Sequence, residues 1–321
     1  MPDRSKPDAW LSHRTGICTL FEGDYHFGLA AFLNSLVHAE YAGTVWAGYR
    51  GPLPPWLAQL SKVAGAVHEY QIAQEIRLVF LPVETHLHLA NYKPWLMLDL
   101  LAGPACSCEF LWYFDPDICL RAPWAYFAEW QRYGIALCQE IVDNNLPENA
   151  PLRHKWMEIA SAIGLKNVQP LHHYYNSGMV SVARPHIAFL EVWRRLIEHA
   201  GKSGSDLTRM MPGNRDMPFH ALDQDALNIA AMYSEFPLST LGPQAMGFIA
   251  GDVKMYHAAA VKPWRGSFLL RALAGRPPSD AMKYFLAQVS SPIRPYSFLG
   301  LPAKKLACSI AAFIGRFYRR N

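Results

Sequence analysis

Short runs of consecutive apolar residues alternate along this chain with longer stretches in which apolar positions recur every three or four residues. The first kind reads as strands buried on both faces, the second as helices that cover them. Residues 16–21 (GICTLF) form the first such run, and Glu22, Gly23 and Asp24 end it. A helical pattern starts at Tyr25 and passes through Phe27, Ala31, Asn34 and Leu36 toward Glu40. Residues 44–47 (TVWA) predict a second strand, followed by the turn sequence GPLPP and a short helix from Trp56. Residues 77–81 (RLVFL) predict a third strand, and residues 91–101 a helix that tolerates Pro94 near its start. Residues 110–114 (FLWYF) predict a strongly aromatic strand. Pro116 follows, between Asp115 and Asp117; it lacks an amide hydrogen and stops the ladder there.

Beyond the Asp-Pro-Asp turn the pattern loosens. Residues 139–173 carry Asp143, Asn144, Asn145, Pro147, Asn149 and Pro151, then a helical stretch over 152–163, and read as a long excursion suited to substrate specificity. Residues 174–183 (YYNSGMVSVA) are strand-like, and an amphipathic helix runs from there to His199. A polar loop over 202–218, a helix over 219–232 and a last short strand over 253–257 complete the body. Strands alternating with helices predict an α/β fold, a mostly parallel central sheet flanked by helices. Ligands in such sheets lie beyond the carboxyl ends of the strands, where the 21–25 turn and the Asp-Pro-Asp turn both fall. With no internal repeat and no linker, the expected division is one domain over residues 1–280 and a tail over 281–321.

Composition adds a compartment and an asymmetry. Half of the 321 residues are hydrophobic and 17% are charged, which makes a globular chain. The formal charge of +4 is too mild to argue for nucleic acid. After Asp280 there is no acid, yet Lys283, Arg294, Lys304, Lys305, Arg316, Arg319 and Arg320 follow. The six cysteines form no C-x-x-C pair, and buried free thiols in a reducing compartment are expected. The first ten residues carry no apolar stretch that could act as a signal peptide, and no segment reaches the length of a membrane span. A cytoplasmic location is expected.

Two carboxylates flanking one proline repel each other unless a cation lies between them. Mg²⁺ and Mn²⁺ take one or two carboxylates together with substrate phosphates. Three further segments carry chemistry: YNSGMV at 175–180, LDQDALN at 222–228 and HAAAVKPW at 257–264. In this order, over residues 16 to about 264, they resemble the GT-A (Rossmann-like) nucleotide-sugar glycosyltransferases, and family 8 in particular, which includes lipopolysaccharide galactosyl- and glucosyltransferases and glycogenin. The resemblance implies that Asp115 and Asp117 bind Mn²⁺, or Mg²⁺, bridging the donor diphosphate, with His257 as third ligand. It implies that Lys262 touches that diphosphate, that Thr19 and Tyr25 line the nucleotide pocket with the tyrosine on uracil, and that Lys93 helps hold the donor. Asn176 and Gly178 fall beside the sugar, and Asp223 and Gln224 near the reacting carbon. The donor is then a UDP-sugar, the acceptor a glycan or glycolipid, the transferred group a hexose, and anomeric configuration is retained. The chain departs from the family pattern by one residue fewer between His257 and Lys262 and a shorter first loop.

A nucleotidyltransferase predicts a glycine-rich basic loop after the first strand, and residues 19–24 are acidic instead. A nucleotide-sugar-binding protein without turnover is expected to have lost a metal ligand, and all three are present. His172 and His173, and the tryptophans Trp95, Trp112, Trp124 and Trp193, are read as structural. In the tail, Leu306, Ile310, Phe313, Ile314 and Phe317 share one helical side while Lys304, Lys305, Arg316, Arg319 and Arg320 sit at its ends, the pattern of an in-plane helix on an anionic membrane. Its rival is a helix docked on the protein's own core.

Overall fold

The structure is a computed structural model that describes residues 14–142, 144–166, 169–213 and 217–317. Asp143, Arg319 and Arg320, singled out above, lie outside the described residues. In chain order the body consists of β1 (Thr15–Glu22), α1 (His26–His38), β2 (Gly43–Arg50), β3 (Ser61–Lys62), β4 (Glu69–Ala73), β5 (Ile76–Pro82), α2 (Lys93–Ala102), β6 (Phe110–Phe114), β7 (Ile118–Leu120), α3 (Trp124–Trp130), β8 (Ile135–Gln139), α4 (Pro151–Ala162), β9 (Tyr175–Ala183), α5 (Ala188–Lys202), α6 (Leu222–Met232), β10 (Leu238–Leu241) and β11 (Met255–His257). Three helices follow: α7 (Phe268–Leu273), α8 (Asp280–Gln288) and α9 (Gly300–Ile314).

Nine strands form one sheet in the order β10-β8-β9-β6-β1-β2-β5-β4-β3. Seven run in one direction; β4 and β9 oppose their neighbours. The apolar runs make double-sided strands because successive side chains leave opposite faces. In β1, Cys18 and Leu20 enter the core under α2, α5 and α6, while Ile17 and Phe21 enter the core under α1 and α3. β6 divides the same way, Leu111 and Tyr113 to one face, Trp112 and Phe114 to the other. The mixed α/β architecture with a largely parallel sheet agrees with the pattern of the sequence.

The strand β9 is inserted antiparallel between β6 and β8. It returns from the 139–173 excursion, in which α4 is the regular element, and so places the YNSG segment beside the end of β6. A separate two-stranded ribbon pairs β7 with β11 antiparallel, His257 opposite Ile118. That ribbon brings a residue near the end of the body next to the Asp-Pro-Asp turn.

The boundary expected at residue 280 falls within packed structure. Phe285, Leu286 and Val289 are buried against Trp264 and Ala31, and Ile293 lies in the core under α1. Buried Asn34 of α1 donates to the Gln288 and Ile293 carbonyls at 2.6 and 2.8 Å and accepts from the Ile293 amide at 2.9 Å. One asparagine thereby satisfies three backbone groups of the segment that crosses it.

Five of the six free cysteines are buried, and Cys106 is exposed. Trp112, Trp124 and Trp193 are core, whereas Trp95 is half-buried and stacks on Tyr92 with centroids 6.1 Å apart. Among the described residues no helix is long and apolar enough to cross a membrane.

Candidate functional site

β6 ends where Pro116 forbids another ladder bond, and the chain turns tightly, with the Ile118 amide bonded to the Asp115 carbonyl at 3.1 Å. The turn rests on α1 at Gly28, where a side-chain carbon would come within 2.6 Å of the Pro116 carbonyl and 2.8 Å of the Trp264 ring. β7 then pairs with β11, and the Ala258 amide bonds to the Asp117 carbonyl at 3.1 Å. This register aims the His257 ring at both aspartates. Its Nε2 lies 3.4 Å from Asp117 Oδ1 and 3.7 Å from Asp115 Oδ2.

Asp115, Asp117 and His257 are a group whose ligand atoms all fall within 4.8 Å of one another. Two carboxylates and one imidazole suit a divalent ion such as Mn²⁺. Gly178 makes the cradle, since a Cβ there would lie 2.6 Å from His257 Cε1 and 2.8 Å from Asp115 Oδ2. The donor set and the space therefore fit a metal ion. Lys262 closes the far side, its ammonium bonded to Asp117 Oδ2 and to the Ala258 and Ala259 carbonyls at 3.0 Å each. Burial works to raise the Asp117 pKa, but His257 and Lys262 outweigh it and hold the carboxyl far below the usual carboxylate range. Lys262 remains charged because Asp117 more than offsets the burial that opposes it.

No family model matches the chain, and neither does any curated protein. Among solved structures, the chain is similar to the apo structure of WbbM, a bifunctional glycosyltransferase, with a TM-score of 0.54 and 12% sequence identity. The likeness covers 87% of this chain and 50% of that one, so this chain spans about half the length of the structure it matches. The two chains share a fold. At this identity the similarity speaks for architecture alone, and the α/β GT-A fold expected from the sequence is the one observed. The likeness to family 8 in particular rests on the motifs.

Within this fold the Asp115–Asp117–His257 group opens into a cavity of about 410 Å³ beyond the carboxyl ends of β1 and β6. Nearly all the residues singled out from the sequence meet there: Tyr25, Lys93, Asp115, Asp117, Asn176, Gly178, Asp223, Gln224, His257 and Lys262 line it. Thr19 does not. It is fully buried within β1, its hydroxyl has no hydrogen-bond partner, and the wall at that point is Leu20, Phe21 and Glu22. Tyr25 is half-buried, with Lys262 and Arg265 over its ring at 5.6 and 5.2 Å and Trp264 edge-on at 5.4 Å. Arg265 in turn is bound through its guanidinium to Asp24, which joins the first loop to the KPW segment.

Three contributors were not found in the sequence. Half-buried Glu140, just past β8, lines the cavity and accepts from Asn176 Nδ2 at 2.6 Å. Asn176 in turn accepts from the Gly178 amide at 2.8 Å, which fixes both ends of its amide. Ser177 of β9 donates its hydroxyl to Asp223 Oδ2 at 2.6 Å. His88 accepts the Ala90 amide at Nδ1, 3.2 Å, which leaves the ring proton on Nε2. No motif marks Glu140 or His88, since each belongs to an unremarkable stretch and reaches the site only through strand order. In the DQD segment the third residue turns away. Asp225 accepts from Tyr174 at 2.6 Å and from the Ala221 amide at 2.8 Å, and burial pushes its pKa up to about 7, so it serves the start of α6.

Proposed function

We propose that this chain is a metal-dependent glycosyltransferase that moves a hexose from a nucleotide sugar, UDP-hexose, to a glycan or glycolipid acceptor. The observation that carries the reading is the convergence of Asp115, Asp117 and His257 around the Gly178 gap, inside the cavity at the strand ends. A divalent ion bound there would supply Lewis-acid stabilisation of the departing diphosphate. Lys262, already charged and at the rim of that group, adds a positive charge to the same leaving group. Tyr25 offers an aromatic face for the base. Asp223 and Gln224 line the same cavity with Asn176 and Gly178, beside the metal group, where the sugar and its developing positive charge would lie. Retention of configuration follows the likeness to family 8.

UDP with Mn²⁺ is expected to raise the melting temperature of the protein. A ligand held at about 100 times its Kd adds about 2.7 kcal/mol, roughly 4 °C for a chain of this size. His257→Ala is expected to remove most of that shift. A shift with another nucleotide diphosphate and none with UDP would overturn the uridine assignment while leaving the metal group standing.

The membrane reading of the tail belongs to the same proposal. α9 is docked through Cys308 and Ala311, both buried. Its outward side nonetheless carries Leu306, Ile310, Phe313 and, just past its end, Phe317, exposed by 43–76%, while Ile314 turns half inward. Phe298 and Leu299 before the helix are 90% and 76% exposed, and Arg294, Lys305 and Arg316 are exposed around them. Apolar side chains rimmed by bases complement anionic lipid, each base contributing roughly 1 kcal/mol near such a surface. Because Cys308 and Ala311 are core, deleting the tail would uncover the body; replacing Leu306, Phe313 and Phe317 together by Ser is the cleaner change. The full chain is expected to sediment with anionic liposomes at low salt and the triple variant to stay in solution with unchanged turnover. Failure of the full chain to sediment would remove the membrane from the proposal.

A further inference from the structure

Between the metal-side carboxylate and α6 lies a closed polar network. Lys93, at the first turn of α2, is 2% exposed. Its Nζ lies 2.9 Å from Asp223 Oδ2, 3.0 Å from the Ser177 carbonyl, 3.3 Å from Ser177 Oγ and 3.3 Å from Asp115 Oδ1. An ammonium has three protons, so these partners saturate it. The Tyr113 ring closes the remaining side at 5.1 Å, and its hydroxyl donates to Asp115 Oδ1 at 2.9 Å. Ser177 is the other hub. Its hydroxyl donates to Asp223 Oδ2 at 2.6 Å and its amide donates to Gln224 Oε1 at 3.0 Å. From behind, the Trp193 indole holds the Asp223 carbonyl at 2.8 Å.

On the transferase reading above, we propose that Lys93 and Ser177 are positioning residues that lock the metal-side carboxylate Asp115 and the α6 pair Asp223 and Gln224 into one rigid wall, with Lys93 making no contact to the donor. The likeness to family 8 would put Lys93 on the donor. Here its three protons are already taken by groups of the chain itself. Burial opposes its charge, and Asp115 and Asp223 more than compensate. Ser177 holds one lone pair of the Gln224 amide oxygen and one oxygen of Asp223, so a single residue of β9 sets the attitude of both neighbours on α6. Movement of the metal-side carboxylate would then be transmitted to the residues that face the sugar.

A double-mutant cycle on the protein without ligands tests the network. Lys93→Met leaves Asp115 and Asp223 without their cation and is expected to lower the melting temperature by roughly 4–8 °C. Lys93→Met combined with Asp223→Asn should recover more than half of that loss. Losses that simply add would overturn the proposal. UDP affinity in Mn²⁺ is then measured on the recovered double variant. A Kd within about threefold of the parent's supports it, and a loss of tenfold or more that persists at saturating Mn²⁺, where a loosened Asp115 no longer limits binding, overturns the absence of a donor contact. A positioning role beyond stability is read from Ser177→Ala, for which kcat is expected to fall about tenfold or more with the donor KM within threefold. Unchanged kcat would refute it. Should the parent protein ignore UDP, the donor assignment fails while the melting cycle still decides the network.

Discussion

Asp117→Asn is expected to reduce turnover of a UDP-hexose in Mn²⁺ by roughly a thousandfold or more. Asparagine keeps the shape of the side chain and loses the charge that faces both His257 and Lys262. If the bound ion contributes several kcal/mol to the departing diphosphate, as divalent ions do in such reactions, about 4 kcal/mol corresponds to a factor near a thousand. Stability should fall too, because Lys262 loses the carboxylate it is bonded to. The cost belongs at the low end of the roughly 3–5 kcal/mol for breaking a buried pair, since the ammonium keeps the Ala258 and Ala259 carbonyls. Measured turnover near that of the parent, or activity that persists in excess EDTA, would end the metal assignment.

Gly178→Ala is expected to do nearly as much damage with one methyl group. Its Cβ would stand 2.6 Å from His257 Cε1 and 2.8 Å from both Asn176 Oδ1 and Asp115 Oδ2. The backbone has no freedom to retreat: the Gly178 carbonyl accepts the Asp115 amide at 2.7 Å, and its amide is held by Asn176. Relief must come from the ligands, which spread apart. Overpacking of this kind costs about 1–3 kcal/mol of stability. The larger effect should be on metal affinity, with turnover down roughly a hundredfold at low Mn²⁺ and partly regained as Mn²⁺ is raised. Manganese binding by the variant as tight as the parent's would show that the gap is not part of the site.

The local half of this structure was legible in the sequence, and the long-range half was not. The FLWYF run, Pro116 and the flanking acids predict a strand ending in two carboxylates, and β6 ends at Phe114. The helix expected over 152–163 is α4 at Pro151–Ala162. Short or half-buried pieces went unread: β3 and β4 lack a long apolar run, and α3 is so rich in tryptophan and phenylalanine that it carries no clean period. Strand order is a different matter. Nothing in YNSGMV says that it runs antiparallel between β6 and β8, yet that insertion is what brings Glu140 to Asn176. Lys93 illustrates the same limit. Its position in the motif was recognisable, but the three residues that occupy it come from the turn after β6, from β9 and from α6, and only the folded chain puts them together. The resemblance to family 8 puts Thr19 in the nucleotide pocket, but Thr19 lies inside β1, short of the strand end at Glu22, and is fully buried.

The pairing of β7 with β11 carries a consequence for the order in which the molecule is made. Lys262 follows Asp117 by 145 positions, and His257 arrives only shortly before it. At about 5–20 residues per second, a ribosome takes roughly seven to thirty seconds to cover that distance. During that interval the nascent chain already holds Asp115, Asp117 and Lys93, but neither the imidazole nor the second lysine. The β7 segment meanwhile lacks its ribbon partner. Any ion captured by the growing chain would be held by oxygen ligands alone, and selection for the mixed oxygen–nitrogen set can begin only when β11 zips onto β7.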